Sequence, residues 1–257
     1  MKNRTLIVIP ARLGSWRFPN KPIEDIHGKP MIEHVYRRAQ MVENVSEIVI
    51  ATCDEEVAVV AKKFGAKVVM TSKICPTACE RVGEAAKILG FTNYDDVVIN
   101  VQGDEPMVPP PVIEITRQRL LSSPDNLVAN MVERIRNDED LTNPNRIKAI
   151  LTQKDNLMFL SRECIPAKIF DIKKLADYYL LTCITAYRGT FLTLFSELKR
   201  TPVELIEGND MMRTLEHEIK IVSGLISQHT HPVDTPEDIE AVKKLILDDP
   251  WYSKYDR

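Results

Sequence analysis

The sequence predicts an α/β fold: a mixed, mostly parallel sheet with helices on both faces and a projecting arm. Short aliphatic runs in the first half alternate with segments of helical spacing, the signature of βαβ units with right-handed crossovers. The chain has 257 residues, 44% apolar and 28% charged, enough for a real core and ordinary for a folded enzyme-sized protein. Its 9 glycines and 16 prolines exclude a collagen-like or disordered chain.

Each element has a local reason. Leu6 to Ile9 is a compact aliphatic run ending at Pro10, as in a buried parallel strand. Pro30 to Glu43 carries Met31, Ile32, Val35 and Ala39 at helical spacing. Glu47 to Thr52 reads as the second strand. Asp54 follows as an N-cap for a helix that aligns Val57, Val60, Ala61 and Phe64. Lys67 to Met70 is a third strand and Glu80 to Leu89 a helix. Asp96 to Val101 is a fourth strand, and Pro111 to Leu120 another helix.

The second half changes character. Leu127 to Val132, Arg146 to Thr152, Met158 to Ser161 and Tyr178 to Tyr187 read as strands. Asp210 to Glu216 and Pro236 to Leu247 read as helices, with strand-like Ile219 to Val222 between them. No repeat, linker or low-complexity tract interrupts the chain. The expected organisation is a single domain over residues 1–257. Its core would be 1–133 and 201–257, with a projecting arm or flap at about 134–200.

Charge and composition narrow the function. Lys+Arg 34 against Asp+Glu 37 gives a net charge of −3, which argues against a nucleic-acid binder. The longest purely aliphatic runs fall far short of the roughly 18 residues a membrane span needs, and the N-terminus lacks the apolar region of a secretory signal. Cys53, Cys75, Cys79, Cys164 and Cys183 are an odd, scattered set, so no disulfide framework is expected and a reducing, cytoplasmic setting is. Cys75 and Cys79 have no second pair at zinc spacing and read as core or loop thiols. His229 and His231 read as surface residues.

In an open parallel sheet, ligands sit beyond the carboxyl ends of the strands. After the first strand comes a turn with Gly14, the Ser15 hydroxyl, and the cations Arg12, Arg17 and Lys21. Glycine lets backbone N–H groups approach an anion, and these cations would hold a polyphosphate. A solvated basic turn is the plainer alternative. The spacing is neither that of a P-loop nor that of a dinucleotide fingerprint. After the fourth strand, Gln102-Gly103-Asp104-Glu105-Pro106 brings an aspartate into the same cleft. Mg²⁺ uses one or two carboxylates together with substrate phosphates; a simple turn would also use Gly-Asp. In Val233-Asp234-Thr235-Pro236, Thr235 reads as a helix cap and Asp234 stays undecided. There is no Gly-x-Ser-x-Gly elbow. A basic phosphate loop with a strand-end aspartate points to nucleotidyl transfer onto an acidic acceptor.

Several segments together resemble the 3-deoxy-manno-octulosonate cytidylyltransferases, the CMP-Kdo synthetases. They are Ile9-Pro10-Ala11-Arg12 through Lys21-Pro22, Gly28-Lys29-Pro30-Met31-Ile32, and Asn100-Val101-Gln102-Gly103-Asp104-Glu105-Pro106. Asn143-Pro144-Asn145 with Lys148, Phe159 through Pro166, Leu205 through Glu216, and Val233 through Asp238 follow in register. The resemblance implies a nucleotidyltransferase-like, Rossmann-like fold and a homodimer that uses CTP, Mg²⁺ and a small anionic acceptor. It implies that Arg12, Leu13, Gly14, Ser15, Arg17, Lys21, Arg81 and Gln102 bind the nucleotide. Gln102, Arg162, Thr185, Tyr187 and Asp210 would meet the acceptor. Asp104 and Asp234 would hold Mg²⁺, and Lys21 and Asp104 would be catalytic.

The chain departs from the family in three places. The base loop reads Cys75-Pro76-Thr77-Ala78-Cys79-Glu80-Arg81, keeping only its last two family residues. Leu181 and Thr185 stand where the family has His and Tyr. Asp210-Met211 replaces Glu-Gln. A Kdo-like acid, a non-sugar phosphonate or phosphoryl acceptor, and a non-catalytic nucleotide-binding protein on the same fold are therefore the alternatives.

Overall fold

The computed structural model describes residues 3–14, 17–167 and 178–256. The chain opens with β1 (Thr5–Ala11), a short ribbon of β2 (Asp25–Ile26) and β3 (Lys29–Pro30), and α1 (Met31–Ala39). Then come β4 (Glu47–Thr52), α2 (Glu55–Lys63), β5 (Lys67–Met70), α3 (Ala78–Ile88), β6 (Val97–Val101) and α4 (Pro110–Leu121). The next stretch holds β7 (Val128–Arg134), α5 (Asp138–Thr142), β8 (Lys148–Leu151), β9 (Leu157–Ser161) and β10 (Tyr179–Arg188). It closes with α6 (Gly189–Glu197), α7 (Pro202–Glu207), α8 (Met211–Glu216), β11 (Ile221–Val222), β12 (Leu225–Ile226) and α9 (Pro236–Leu245).

The main sheet runs β11-β7-β10-β6-β1-β4-β5. β1 is parallel to β4 and β6, and β4 to β5, as the alternating first half requires. β10 enters antiparallel between β6 and β7, so the sheet is mixed. β8 pairs with β10 and β9 and carries the sheet outward as a hairpin.

The continuous aliphatic character of β1 follows from burial on both faces. Ile7 and Ile9 pack with Ile32, Val35, Val112 and Ile113 from α1 and α4. Leu6 and Val8 face the other way, toward Val82 and Ala85 of α3 and Phe191 and Phe195 of α6. A third cluster, with Ile26, Met31, Met107, Val233 and Ile239, docks α9 beside the strand ends. Among the described residues no helix is long and apolar enough to cross a membrane.

Several local readings change. The first helix stops at Ala39, short of Glu43. Asp54 occupies the N-cap position of α2, yet its side chain makes no cap bond; it accepts from the Leu13 N–H instead, at 2.8 Å. α5, α6 and α7 lie where the sequence reading placed no helix. α6 is rich in Thr and Phe, weak helix formers, and forms because Phe191, Leu192 and Phe195 are buried. Thr235 does cap α9, in a capping box with Asp238.

Gly189, at the β10–α6 junction, has no room for a side chain. A Cβ there would lie 2.6 Å from the Asn93 carbonyl oxygen and 2.7 Å from that of Phe91. Gly189→Ala should therefore destabilise the protein by about 1–3 kcal/mol, lowering the thermal midpoint by roughly 2–10 °C. An unchanged melting curve would contradict this packing.

Candidate active site

A cavity of about 500 Å³ opens at the carboxyl ends of β1 and β6, lined there by Pro10, Ala11, Asn100 and Gln102. This is where an open α/β sheet places its ligand. The strand order divides it. One half lies over β6 and β1; the other lies over β10 and β7.

The turn after β1 supplies the cations. Arg12 is exposed and lines the cavity. Asn20, in the left-handed region at φ 61°, turns the chain into a short 3-10 segment that begins at Lys21. The Lys21 side chain is thereby buried, and its Nζ donates to Asp104 Oδ2 at 2.9 Å and to the Val233 carbonyl at 2.6 Å. Asp234 Oδ1 is 4.0 Å from the same nitrogen. Arg17 donates to Asp234 Oδ1 at 2.6 Å and to Asn145 Oδ1 at 3.0 Å. Leu13 does not line this cavity: its side chain packs on the core, and its N–H is held by Asp54. Gly14 is exposed, with open space around it. Ser15 lies outside the described residues.

Asp104 reaches the cluster through a close approach of backbone. A Cβ on Gly103 would sit 2.7 Å from the Pro10 carbonyl, so only glycine brings this loop against the end of β1. The Asp104 carbonyl accepts from the Val233 N–H at 2.9 Å, which ties the Asp234 segment to it. Asp104 Oδ1 is buried with no hydrogen-bond partner. Burial pulls the Lys21 ammonium down, but Asp104 and Asp234 outweigh it and its pKa lies above the ordinary value. Burial and the Asp104 charge raise the Asp234 carboxyl. Glu105, fully buried behind them, is pushed up to about 8 by burial and by Asp104. Lys21 and Arg17 thus face Asp104 and Asp234 at close quarters, and the raised Asp234 and Glu105 carboxyls mark a crowding of acid that a further cation would relieve.

At the far side of the half over β6 and β1, α3 starts at a capping box between Thr77 and Glu80. This gives those two residues of the altered loop a structural role. Arg81 is buried and donates to Thr71 Oγ1 at 2.5 Å and to the Ser72 carbonyl at 3.4 Å. The Cys75 thiol donates to Glu84 Oε2 at 2.9 Å. Burial and that carboxylate push it up to about 12, so it stays protonated. Gln102 lines the cavity where the two halves meet, and its N–H donates to the Cys183 carbonyl at 3.3 Å.

In the other half, Arg162 lines the cavity while donating to the carbonyls of Glu207 at 2.7 Å and Pro144 at 2.8 Å. Tyr187 is buried and stacked on Phe191 with an interplanar angle of 3°. Burial raises the Asp210 carboxyl, which accepts from the Cys79 N–H at 3.1 Å. Thr185 accepts from Asn130 Nδ2 at 2.8 Å. Leu181 and Met211 add apolar surface.

The structure brings Lys21, Asp104, Arg17 and Asp234 into one hydrogen-bonded group, with Arg12, Arg81, Gln102, Arg162, Thr185, Tyr187 and Asp210 around the same cavity. Sequence reasoning missed Asn100 and Asn130, which also line it. The available signal was an asparagine inside an otherwise aliphatic strand. It also misread His229 and His231 as plain surface residues. His229 Nδ1 is 2.5 Å from Glu133, a buried carboxylate on β7. His231 packs edge-on to His229 and is pushed down to about 4 by burial.

A cytidylyltransferase family model matches residues 6–221. The 3-deoxy-manno-octulosonate cytidylyltransferase of Francisella tularensis subsp. holarctica is 38% identical over 93% of this chain and 97% of its own. That of Protochlamydia amoebophila is 33% identical over 95% of each chain. The solved structure of CMP:2-keto-3-deoxy-manno-octonic acid synthetase complexed with CTP superposes with a TM-score of 0.86. It is 34% identical, over 95% of this chain and 99% of that one. Fold and family together define a nucleotidyltransferase. The chain belongs to the CMP-Kdo synthetase family of cytidylyltransferases.

Asp104→Asn should abolish turnover while leaving the fold intact: the amide keeps the volume, and the loss of the charge that faces buried Lys21 should lower the melting midpoint without unfolding the protein. The cost should be on the order of several kcal/mol of transition-state stabilisation, and activity within about threefold of wild type would contradict the role. Lys21→Ala should lower both nucleotide affinity and turnover rate, since phosphate charge grows as pyrophosphate leaves; a variant with unchanged kinetics would reduce the loop to a solvated basic turn.

Proposed function

We propose that this enzyme transfers CMP from CTP to a small anionic acceptor of the Kdo type and releases pyrophosphate. The observation that carries the reading is the Lys21–Asp104–Asp234–Arg17 group at the strand ends of a cavity large enough for nucleotide and acceptor. An acceptor hydroxyl oxygen attacks the α-phosphorus and loses its proton, and the bond to the β-phosphate oxygen breaks. Lys21 and Arg12 face the triphosphate and neutralise charge as it moves to pyrophosphate. Arg17 holds Asp234 and flanks the same phosphates. Arg81 closes the base end, and Gln102 sits between nucleotide and acceptor.

The donor set fits Mg²⁺. Asp104 Oδ1 is a buried oxygen without a partner, and Asp234 is the second carboxylate beside it. Among the described residues no group of three or more His, Cys, Asp or Glu side chains forms a cage for a metal. Two carboxylates completed by substrate phosphates are the usual magnesium arrangement. Asp104 and Asp234 would hold the ion, which when bound supplies charge neutralisation on the phosphate oxygens. The reading includes a homodimer, with the segment around 134–200 contributing subunit and acceptor contacts on a single domain.

The acceptor half has Leu181, Thr185 and Met211 where the family places His, Tyr and Gln, so ordinary Kdo should be a poor substrate. Pyrophosphate release should be measured with each of the four nucleoside triphosphates, Mg²⁺, and a panel of sugar acids and phosphonates. The expected result is turnover with CTP, and a kcat/KM for Kdo below roughly 10⁵ M⁻¹s⁻¹. Preference for another triphosphate would contradict the donor, and efficient use of Kdo would contradict the reading of these three positions.

A further inference from the structure

Among the cavity-lining asparagines that no role above uses are Asn130 and Asn209. Asn130 lies on β7 in register with Thr185 of β10, which in turn faces Asn100 of β6. Its Nδ2 donates to the Thr182 carbonyl at 3.1 Å and to Thr185 Oγ1 at 2.8 Å, while its Oδ1 is buried with no partner. Asn209 follows Gly208, which is in the left-handed region at φ 60°. Its Oδ1 accepts from the Met211 N–H at 3.0 Å, and its Nδ2 is buried with no partner. Asn130 is 1% exposed and Asn209 8%, and both line the cavity, one on its sheet floor and one on the wall before α8.

Each amide stands beside a position that has lost a polar group. Asn130 is bonded to Thr185, where the family has Tyr; Asn209 is bonded to the backbone of Met211, where it has Gln. A buried donor or acceptor left unpaired is costly, and a ligand that pairs it recovers that cost. We infer that Asn130 and Asn209 are specificity-determining residues of the acceptor half: Asn209 donates to one polar group of the acceptor, and Asn130 accepts from another. The polarity missing at Leu181, Thr185 and Met211 has moved to these two positions. The acceptor thus presents a hydrogen-bond acceptor toward α8 and a donor toward the sheet floor. This rests on the transfer reaction proposed above.

The test compares wild type with Asn209→Asp, which keeps the oxygen bonded to Met211 and removes the Nδ2 donor, and with Asn130→Val. The probes are Kdo and the shorter acid 2-keto-3-deoxygluconate, each with CTP and Mg²⁺; calorimetry gives the CTP affinity and melting curves check the fold. The acceptor KM for Kdo should rise roughly tenfold or more in each variant, with the CTP dissociation constant within about twofold of wild type. The shorter acid should lose less, which separates a lost contact from the added charge of Asn209→Asp. If Asn130→Val does not fold, Asn209→Asp decides alone, since its site is outside the sheet. An unchanged acceptor KM, an equal loss for both acids, or a parallel loss of CTP affinity would overturn the assignment. So would a wild type that binds CTP and turns over neither acid. A wild type that does not bind CTP would instead defeat the transfer reaction itself.

Discussion

Lys21 is the point on which the site depends. A buried ammonium is costly unless its hydrogen bonds and its charge are met. Here Asp104, the Val233 carbonyl and the nearby Asp234 meet them. Lys21 and these partners come from three distant parts of the chain: the turn after β1, the turn after β6, and the segment leading into α9. One side chain therefore fixes the relative position of the elements that form the cavity mouth. The Val233-to-Asp104 backbone bond and the missing side chain of Gly103 make that convergence sterically possible.

The sheet converts this local constraint into a division of labour. β1, β4 and β6 are parallel and deliver loops to one edge, where the charges gather. β10 enters antiparallel between β6 and β7, with its register irregular between Leu181 and Thr185. Such irregularities re-aim side chains beside binding sites. The second half of the cavity is accordingly built from side chains of β10 and β7 and from the α7–α8 turn. It can change its polarity without disturbing the charged cluster, which lies over other strands.

Much of this was legible in the residues. Alternating aliphatic runs and helical spacing gave the parallel half, and a strand-end rule pointed to the turns that hold Lys21 and Asp104. Asp234 was not decidable from spacing, because a residue before Thr-Pro-Glu reads equally as part of a helix start; the resemblance to a family singled it out, and only the tertiary contact with Lys21 and Arg17 supplies a physical reason. Helix α6 was illegible because burial of Phe191 and Phe195 overrides its weak propensity. Asn209 was invisible because its importance lies in an unpaired atom, which no local pattern encodes. The Glu133–His229 pair joins residues far apart in sequence and had no local signature either.

With the triphosphate held by the charged group around Lys21, as proposed, most of the nucleotide affinity should come from phosphate rather than base. Calorimetric titration of CTP and of CMP into the wild-type protein, both with Mg²⁺, measures this directly. CTP should bind at least roughly tenfold more tightly, since each charge-assisted contact to the terminal phosphates contributes about 1.5–3 kcal/mol. Equal affinity for CTP and CMP would contradict the account, because the cluster would then make no contact with the phosphates that distinguish them.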